Sequence, residues 1–203
     1  MDAKPSSASV TRLTQVMQPG DANIAGFVHG GSIMKLVDTA AGIAAIRHCG
    51  GRAVTAQVDS LSFLAPVHIG DIIQLVASVN QSWRTSMEVG VRVERENPLT
   101  GERTHTTSAY LTFVAVDAGG TPVPVPPVRA EREEERRRQR EANVRREGRI
   151  RLRDQIAAER GSSPPPPGKG LAGSPPPPGK GLAGSPPPPG KGLAGSPPPP
   201  GRG

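Results

Sequence analysis

The sequence has little cysteine, few aromatic residues and no long apolar run, and each shortage excludes a class of protein. One residue of 203 is a cysteine, Cys49, so an intrachain disulfide is impossible, which suits a reducing compartment. No stretch approaches the roughly 18 consecutive apolar residues that a membrane-spanning helix needs. The N-terminus is polar through Arg12 and lacks the apolar core of a signal peptide. We therefore expect a cytoplasmic protein without a membrane span.

Several catalytic and ligand-binding motifs are also missing. The absence of a Gly-x-Ser-x-Gly elbow argues against a serine hydrolase. The glycines do not form a phosphate-binding loop. The potential metal ligands do not have metal-site spacing, so no metal and no cofactor are expected. These ligands are His29, His48, His68, His105 and Cys49.

The net charge of +7 is distributed unevenly along the chain. Residues 1–128 carry a net charge of −1, whereas residues 129–160 and residues 161–203 each carry +4. The basic character therefore belongs to the C-terminal third. A high isoelectric point of this origin is no argument for nucleic-acid binding, and we expect none by the folded domain.

Composition divides the chain into three parts. Residues 8–128 hold most of the large apolar residues and form the predicted domain. Residues 129–160 are an arginine-rich charged segment that can form a solvated helix but has too little apolar surface for its own core. Residues 161–203 repeat the unit SPPPPGKGLAG and are predicted to be a disordered tail. That tail is either a solubilising extension or a binding segment for an unknown partner.

The apolar pattern within the domain predicts one helix and five strands. Strands are expected at 10–17, 54–64, 71–82, 86–96 and 103–116, with a helix at 31–47. The helix is apolar almost all round, which is typical of a buried helix. Short loops between the later strands indicate antiparallel pairing. The predicted fold class is α+β, with exposed sheet edges that favour oligomerisation.

Asp38 is the most unusual residue of the predicted helix, because it is a carboxylate among apolar neighbours. Burying a lone carboxylate is costly unless it is paired or its proton affinity rises. One interpretation is a structural ion pair with Lys35, three residues earlier. The other is a general base in an apolar cleft. The residues alone leave both open.

The same helix is preceded by His29, Gly30 and Gly31. Glycines at a helix N-terminus expose backbone N–H groups, and the helix dipole favours negative charge there. Such a position suits a developing oxyanion. The alternative is an ordinary flexible entry to the helix, with His29 as a loop residue.

Several stretches in the right order resemble the brain-type cytosolic and bacterial short-chain acyl-CoA hydrolase family. The longest is DANIAGFVHGGSIMKLVD at 21–38, and it is followed by VDS at 58–60, FLAPV at 63–67, TSMEV at 85–89 and AYLTFV at 109–114. The resemblance spans about residues 10–128 and leaves out the tail.

This resemblance implies a hot-dog fold, in which an antiparallel sheet wraps a central helix, and hydrolysis of acyl-CoA to fatty acid and CoA. It places the active site between two hot-dog units, with Asn23 from one unit and Asp38 from the other. Asp38 would act as general base, or alternatively as nucleophile, and Asn23 would orient the water or the carbonyl. His29, Gly30 and Gly31 would lie where the thioester oxygen is polarised.

A single hot-dog that carries both residues is expected to form a homo-oligomer, either a dimer or a trimer of dimers. The CoA phosphates need cations, and Arg84, with Thr85 and Ser86, is the candidate contact, although Arg84 also fits an ordinary surface position. Two other functions stay open at this stage. One is a non-catalytic hot-dog that binds acyl-CoA, and the other is an interaction protein that acts through its tail.

Overall fold

The structure is a computed structural model that describes residues 1–160. The predicted repeat tail, 161–203, lies outside the described residues. The elements are β1 (Lys4–Pro5), β2 (Thr11–Val16), α1 (Gly30–Cys49), β3 (Arg52–Phe63), β4 (Ile72–Ser82), β5 (Ser86–Glu96), β6 (Arg103–Val116), β7 (Val128–Arg129) and α2 (Glu133–Glu159). Short 3-10 turns cover Ser6–Ser9 and Pro19–Asp21. Among the described residues, no helix combines the length and apolarity needed to cross a membrane.

Five strands form one antiparallel sheet in the order β2-β4-β5-β6-β3. The strands β4, β5 and β6 follow one another through short turns, which is why they are neighbours in the sheet. Strand β3 pairs with β6 alone, so it is an edge strand of twelve residues. Strands β1 and β7 make a separate parallel pair that joins the N-terminus to the segment before α2.

A side-chain cap sets the start of helix α1, and a left-handed glycine sets its end. At the start, the His29 ring accepts a hydrogen bond from the Gly31 N–H, which caps the first turn. At the end, Gly50 adopts φ +71°, a left-handed conformation that glycine accepts without steric cost. The helix extends one residue before and two residues after the predicted 31–47.

The core lies between α1 and one face of the sheet. Strand β5 alternates in two-residue steps, so that Met87, Val89, Val91 and Val93 all point at the helix. The side of α1 that faces the sheet carries small buried side chains, which let the helix lie close to the sheet. These are Ala40, Ala41, Ala44 and Ala45.

The opposite side of α1 is open within one chain. Met34 and Ile46 are 44% and 48% exposed. The predicted burial of the whole helix is therefore not met in a single chain, because a five-stranded sheet covers only one side of it. The uncovered apolar side needs a partner surface.

Helix α2 packs on the outer face of the sheet, away from α1. Its Arg145 donates to Glu88 of β5 through Nε at 3.0 Å and Nη2 at 2.7 Å. Its Arg149 hydrogen bonds to Asp59 of β3 and, at 3.0 Å, to Thr112 of β6. Segment 129–160 thus contacts the sheet through charged groups rather than through an apolar core of its own.

Candidate active site

Asn23 lies in the loop that leads into α1, and its side chain shapes that loop. The Oδ1 atom accepts from the N–H groups of Ala25 at 2.8 Å and Phe27 at 3.2 Å. The Asn23 backbone N–H closes the loop by donating to the Phe27 carbonyl at 2.7 Å. Within residues 1–160, Nδ2 of Asn23 donates to no protein group. The loop therefore holds Asn23 in place while one amide donor stays free for a ligand.

The N-terminus of α1 offers one unused glycine N–H. The Gly31 N–H donates to His29 Nδ1 at 2.9 Å, so that donor is engaged. The Gly30 N–H has no partner among the described residues. A Cβ at Gly30 would lie 3.1 Å from the Phe63 ring, so the ring packs directly over this first turn. Of the two glycines singled out in the sequence, Gly30 is the one positioned to donate to a ligand oxygen.

Asp38 lies two turns further along α1 and is exposed in the single chain. Its Oδ1 accepts a hydrogen bond from the Thr55 hydroxyl of β3 at 2.7 Å. No ion pair with Lys35 forms within the part of the chain that the structure describes. The structural ion pair considered from the sequence is therefore absent, and a strand hydroxyl orients the carboxylate instead.

Asp38 and the helix start cannot act on one atom within one chain. Eight residues of helix separate Gly30 from Asp38, which at about 1.5 Å per residue is about 12 Å along the axis. Asn23 and Asp38 likewise share no hydrogen bond within residues 1–160. Within one chain these residues form two separate groups, which we name half-sites. The first contains Asn23 and Gly30, and the second contains Asp38 and Thr55.

An apolar pocket of about 420 Å³ adjoins the first half-site. Its walls come from the loop before α1, the first turn of α1 and the end of β3 with the following loop. The lining residues are Phe27, Val28, Gly30, Ile33, Phe63, Leu64, Ala65, Pro66 and Val67. Because it is apolar and reaches a free helix N–H, the pocket can hold an apolar chain whose polar end lies at Gly30.

Of the predicted CoA contacts, Arg84 and Thr85 lie in the turn between β4 and β5, and Ser86 is the first residue of β5. The Arg84 carbonyl accepts from the Val125 N–H at 3.0 Å and the Thr85 carbonyl from the Ala115 N–H at 3.0 Å. The Arg84 side chain is exposed. A third backbone hydrogen bond, from the Trp83 N–H to the Ser86 carbonyl at 2.7 Å, also holds the turn. Among residues 1–160, the Arg84 guanidinium has no hydrogen-bond or ion-pair partner.

The sheet register relates this turn to the second half-site. Thr55 pairs with Phe113 of β6, which pairs with Met87 of β5. Thr55 and Met87 are therefore two strand spacings of about 4.8 Å apart. The turn thus lies at the same end of the sheet as Thr55, one strand beyond β6.

Edge strand β3 and the open side of α1 both expose apolar side chains. On β3 these include Val54 at 42%, Val58 at 44% and Phe63 at 53% exposure. An unpaired edge next to an apolar surface is unusual in a monomer, because both invite association. The surface that carries Asp38 and Thr55 therefore adjoins exposed apolar side chains of both β3 and α1.

Thr55 is the site residue that sequence reasoning missed. Nothing in its strand marks it, because threonine is common in β-strands for its shape alone. Its role appears only where β3 meets α1.

Among residues 1–160, no three histidine, cysteine or acidic side chains converge as a metal site would need.

A five-stranded antiparallel sheet packed on one central helix is the architecture of a hot-dog protein. The family model described as the thioesterase superfamily matches residues 25–102. Two curated relatives agree. YkhA of Bacillus subtilis, an uncharacterized acyl-CoA thioester hydrolase, is 42% identical over 127 residues, which is 63% of this chain and 73% of that protein. The human cytosolic acyl coenzyme A thioester hydrolase is 36% identical over 152 residues, which is 70% of this chain and 40% of that protein.

Solved structures give the same result. An apo-hexameric acyl-CoA thioesterase is 41% identical with a TM-score of 0.73, over 75% of this chain and 97% of that one. The Staphylococcus aureus acyl-CoA hydrolase, solved with butyryl-CoA, CoA and CoA disulfide, is 34% identical with a TM-score of 0.71, over 78% and 96%. Three variants of the S. aureus enzyme, each 33% identical, carry alanine for an aspartate, an asparagine or a threonine. Their TM-scores are 0.72, 0.73 and 0.69, over 78–79% of this chain and 95–98% of theirs.

The chain belongs to the hot-dog thioesterase superfamily, among its acyl-CoA thioester hydrolases. The family, fold class and enzyme class predicted from the sequence are confirmed.

Proposed function

We propose that this chain hydrolyses acyl-CoA to a fatty acid and CoA at a site shared between two subunits. The observation that carries the proposal is the separation of the two half-sites, about 12 Å along α1 within one chain. The Gly30 N–H and the Asp38 carboxylate can meet one thioester only when they come from different chains. The proposed partners are therefore an acyl-CoA substrate and a second copy of this chain.

In the proposed mechanism, the Asp38 carboxylate takes a proton from water, and the resulting hydroxide adds to the thioester carbonyl. The oxygen gains negative charge and accepts from the Gly30 N–H at the positive end of the helix dipole. The C–S bond then breaks, and the CoA sulfur receives the proton that Asp38 took. Asn23 Nδ2, free within its own chain, orients the water or the carbonyl oxygen.

Thr55 joins this mechanism as a positioning residue. Its hydroxyl donates to Asp38 Oδ1 at 2.7 Å, which leaves Oδ2 free to face the water. The substituted asparagine and aspartate of the S. aureus hydrolase are 15 positions apart, and its aspartate and threonine are 17 apart. Asn23, Asp38 and Thr55 have the same two spacings in this chain. Because the spacings match, we propose that Asn23, Asp38 and Thr55 correspond to the three substituted residues of the S. aureus hydrolase.

The proposed dimer pairs the exposed edge β3 of one subunit with that of the other and covers the open side of α1. Covering exposed Met34, Ile46 and Val58 supplies the apolar burial that an obligate interface needs. Hexameric relatives support assembly of such dimers into a trimer of dimers. The exposed Arg84 turn, with Thr85 and Ser86, is the proposed contact for CoA phosphate. A cytoplasmic location is proposed from the relative named cytosolic.

Complementation between inactive subunits tests the shared site. Asp38→Asn and Asn23→Ala should each lower kcat on the order of 100-fold, the usual scale for a general base. Unfolding and refolding the two variants together should restore activity, because each mixed dimer has one site with neither residue changed. Thiol release from a panel of acyl-CoA substrates is the assay. Random assortment at equal amounts should give about a quarter of wild-type activity.

The control variant is Asp117→Asn, which changes an exposed acid in a turn far along the chain and retains its Oδ1 acceptor for Gly119 and Thr121. It should keep full activity. Full activity in Asp38→Asn would end the catalytic assignment. A mixed sample no more active than its two parents would rule out the shared site.

A further inference from the structure

Edge strand β3 contains two β-bulges. Its register with β6 shifts between Thr55 and Gln57 and again between Val58 and Ser60, which leaves Ala56 and Asp59 as extra residues. A bulge interrupts the hydrogen-bond ladder and bends the strand locally. Within residues 1–160, β3 pairs with β6 alone, so its hydrogen-bond ladder restrains the bulges from one side only. A further side-chain contact would fix the bulged segment more closely.

Helix α2 supplies that contact at the second bulge. Arg149 Nη1 hydrogen bonds to Asp59 Oδ1 and donates to Thr112 Oγ1 at 3.0 Å. The Thr112 hydroxyl in turn donates to Asp59 Oδ2 at 2.8 Å. The Asp59 side chain is 7% exposed and the Arg149 side chain 20%. This triad joins α2, β3 and β6 at the second of the two interruptions in the ladder of β3.

The triad lies on the outer face of the strand whose inner face orients Asp38. Thr55 precedes Asp59 by four residues, about 13 Å of strand, and the other bulge, at Ala56, lies between them. Thr55 pairs with Phe113, and Thr112 is the next residue of β6 on the opposite face. Thr55 thus stands directly before the bulged segment that the triad holds.

We infer that Arg149 is a positioning residue for the thioesterase site. It holds Asp59 and, through the bulged segment of β3, sets the place of the Thr55 hydroxyl that orients Asp38. The inference rests on the proposed function of Asp38 and Thr55. It assigns the charged C-terminal helix a part in catalysis through its hold on β3.

The first test is the steady-state kinetics of Arg149→Met in the full-length chain. We expect kcat to fall about tenfold, since small misplacements of a catalytic group are costly, while KM stays within about twofold. Arg149→Lys keeps the charge and should recover part of the loss. The matched control is Arg153→Met, one turn further along α2, because Arg153 pairs with Asp154 of the same helix and not with the sheet. It should leave kcat unchanged.

A double-mutant cycle with Thr55→Ala separates positioning from a merely structural role. If Arg149 acts through Thr55, the double variant should be no slower than Thr55→Ala alone. Losses that multiply, or an Arg149→Met enzyme with a lower Tm and an unchanged kcat, would overturn the inference. If Arg149→Met does not fold, Thr112→Val removes one hydroxyl of the triad and enters the same cycle with the same expectations. Full activity in both Thr55→Ala and Asp38→Asn would refute the proposed site itself, and this inference with it.

Discussion

The contact between Glu88 and Arg145 allows a sharp test of how α2 is attached to the sheet. Glu88 of β5 is fully buried on the outer face, where it also accepts from Asn80 Nδ2 at 3.0 Å. The Arg145 guanidinium lies 3.7 Å from the centre of the Tyr110 ring. Burial alone lowers the pKa of Arg145, but hydrogen bonds and charge attraction from Glu88 outweigh it, so the pKa is raised. Arg145 and Glu88 therefore form a hydrogen-bonded ion pair on the outer face of the sheet.

Arg145→Met removes the cation and leaves a buried carboxylate with one amide donor. Breaking a buried ion pair from one side costs about 3–5 kcal/mol, because the remaining charge is uncompensated. Replacing both partners, as Arg145→Met with Glu88→Met, removes that charge. The double variant should then be about 1 kcal/mol less stable than wild type, since Asn80 loses its acceptor. The two variants should differ by at least about 2 kcal/mol.

Urea unfolding measures this difference, with protein concentration held equal because the stability of an oligomer depends on it. The control is Arg153→Met, whose exposed pair lies within α2 and should change the free energy of unfolding by less than about 0.5 kcal/mol. A cost below about 1 kcal/mol for Arg145→Met would show that Glu88 is not buried as described. A double variant as unstable as the single one would show that packing, not charge, holds α2.

Two further predictions concern acidity and the tail. Burial lowers the pKa of His48, the charge of Lys4 adds to this, and the hydrogen bond to the Pro126 carbonyl opposes it. The unfolded chain therefore binds a proton that the folded chain excludes, so stability should fall as pH drops below about 6.5. Urea titrations should show this slope flattened in His48→Gln, and an unchanged slope would contradict the assignment. Deleting residues 161–203 should leave Tm and kcat within error, because the repeats lack the apolar residues of a core. A large loss of Tm would show that the predicted domain boundary is wrong.

Much of the fold could be predicted because its information is local. Alternation in two-residue steps marks β5, and a run of small and apolar residues that ends at Gly50 marks α1. Asp38 stood out for the same reason, as a charge in an apolar helix. The glycine entry to α1 was also visible as a local pattern, whereas Asn23 was singled out only by the resemblance of residues 21–38 to a known family. These features depend on neighbours in the chain.

Contacts between distant residues were decided by tertiary structure. Seventeen residues separate Thr55 from Asp38, 57 separate Arg145 from Glu88, and 90 separate Arg149 from Asp59. The arginines of α2 recur at four-residue steps, a pattern that also fits a solvated helix, so their burial had no signal in the sequence. Periodicity tells which face a side chain points to. Which distant group it meets depends on sheet order, on the bulges of β3 and on the face over which α2 packs, and these exist only once the chain has folded.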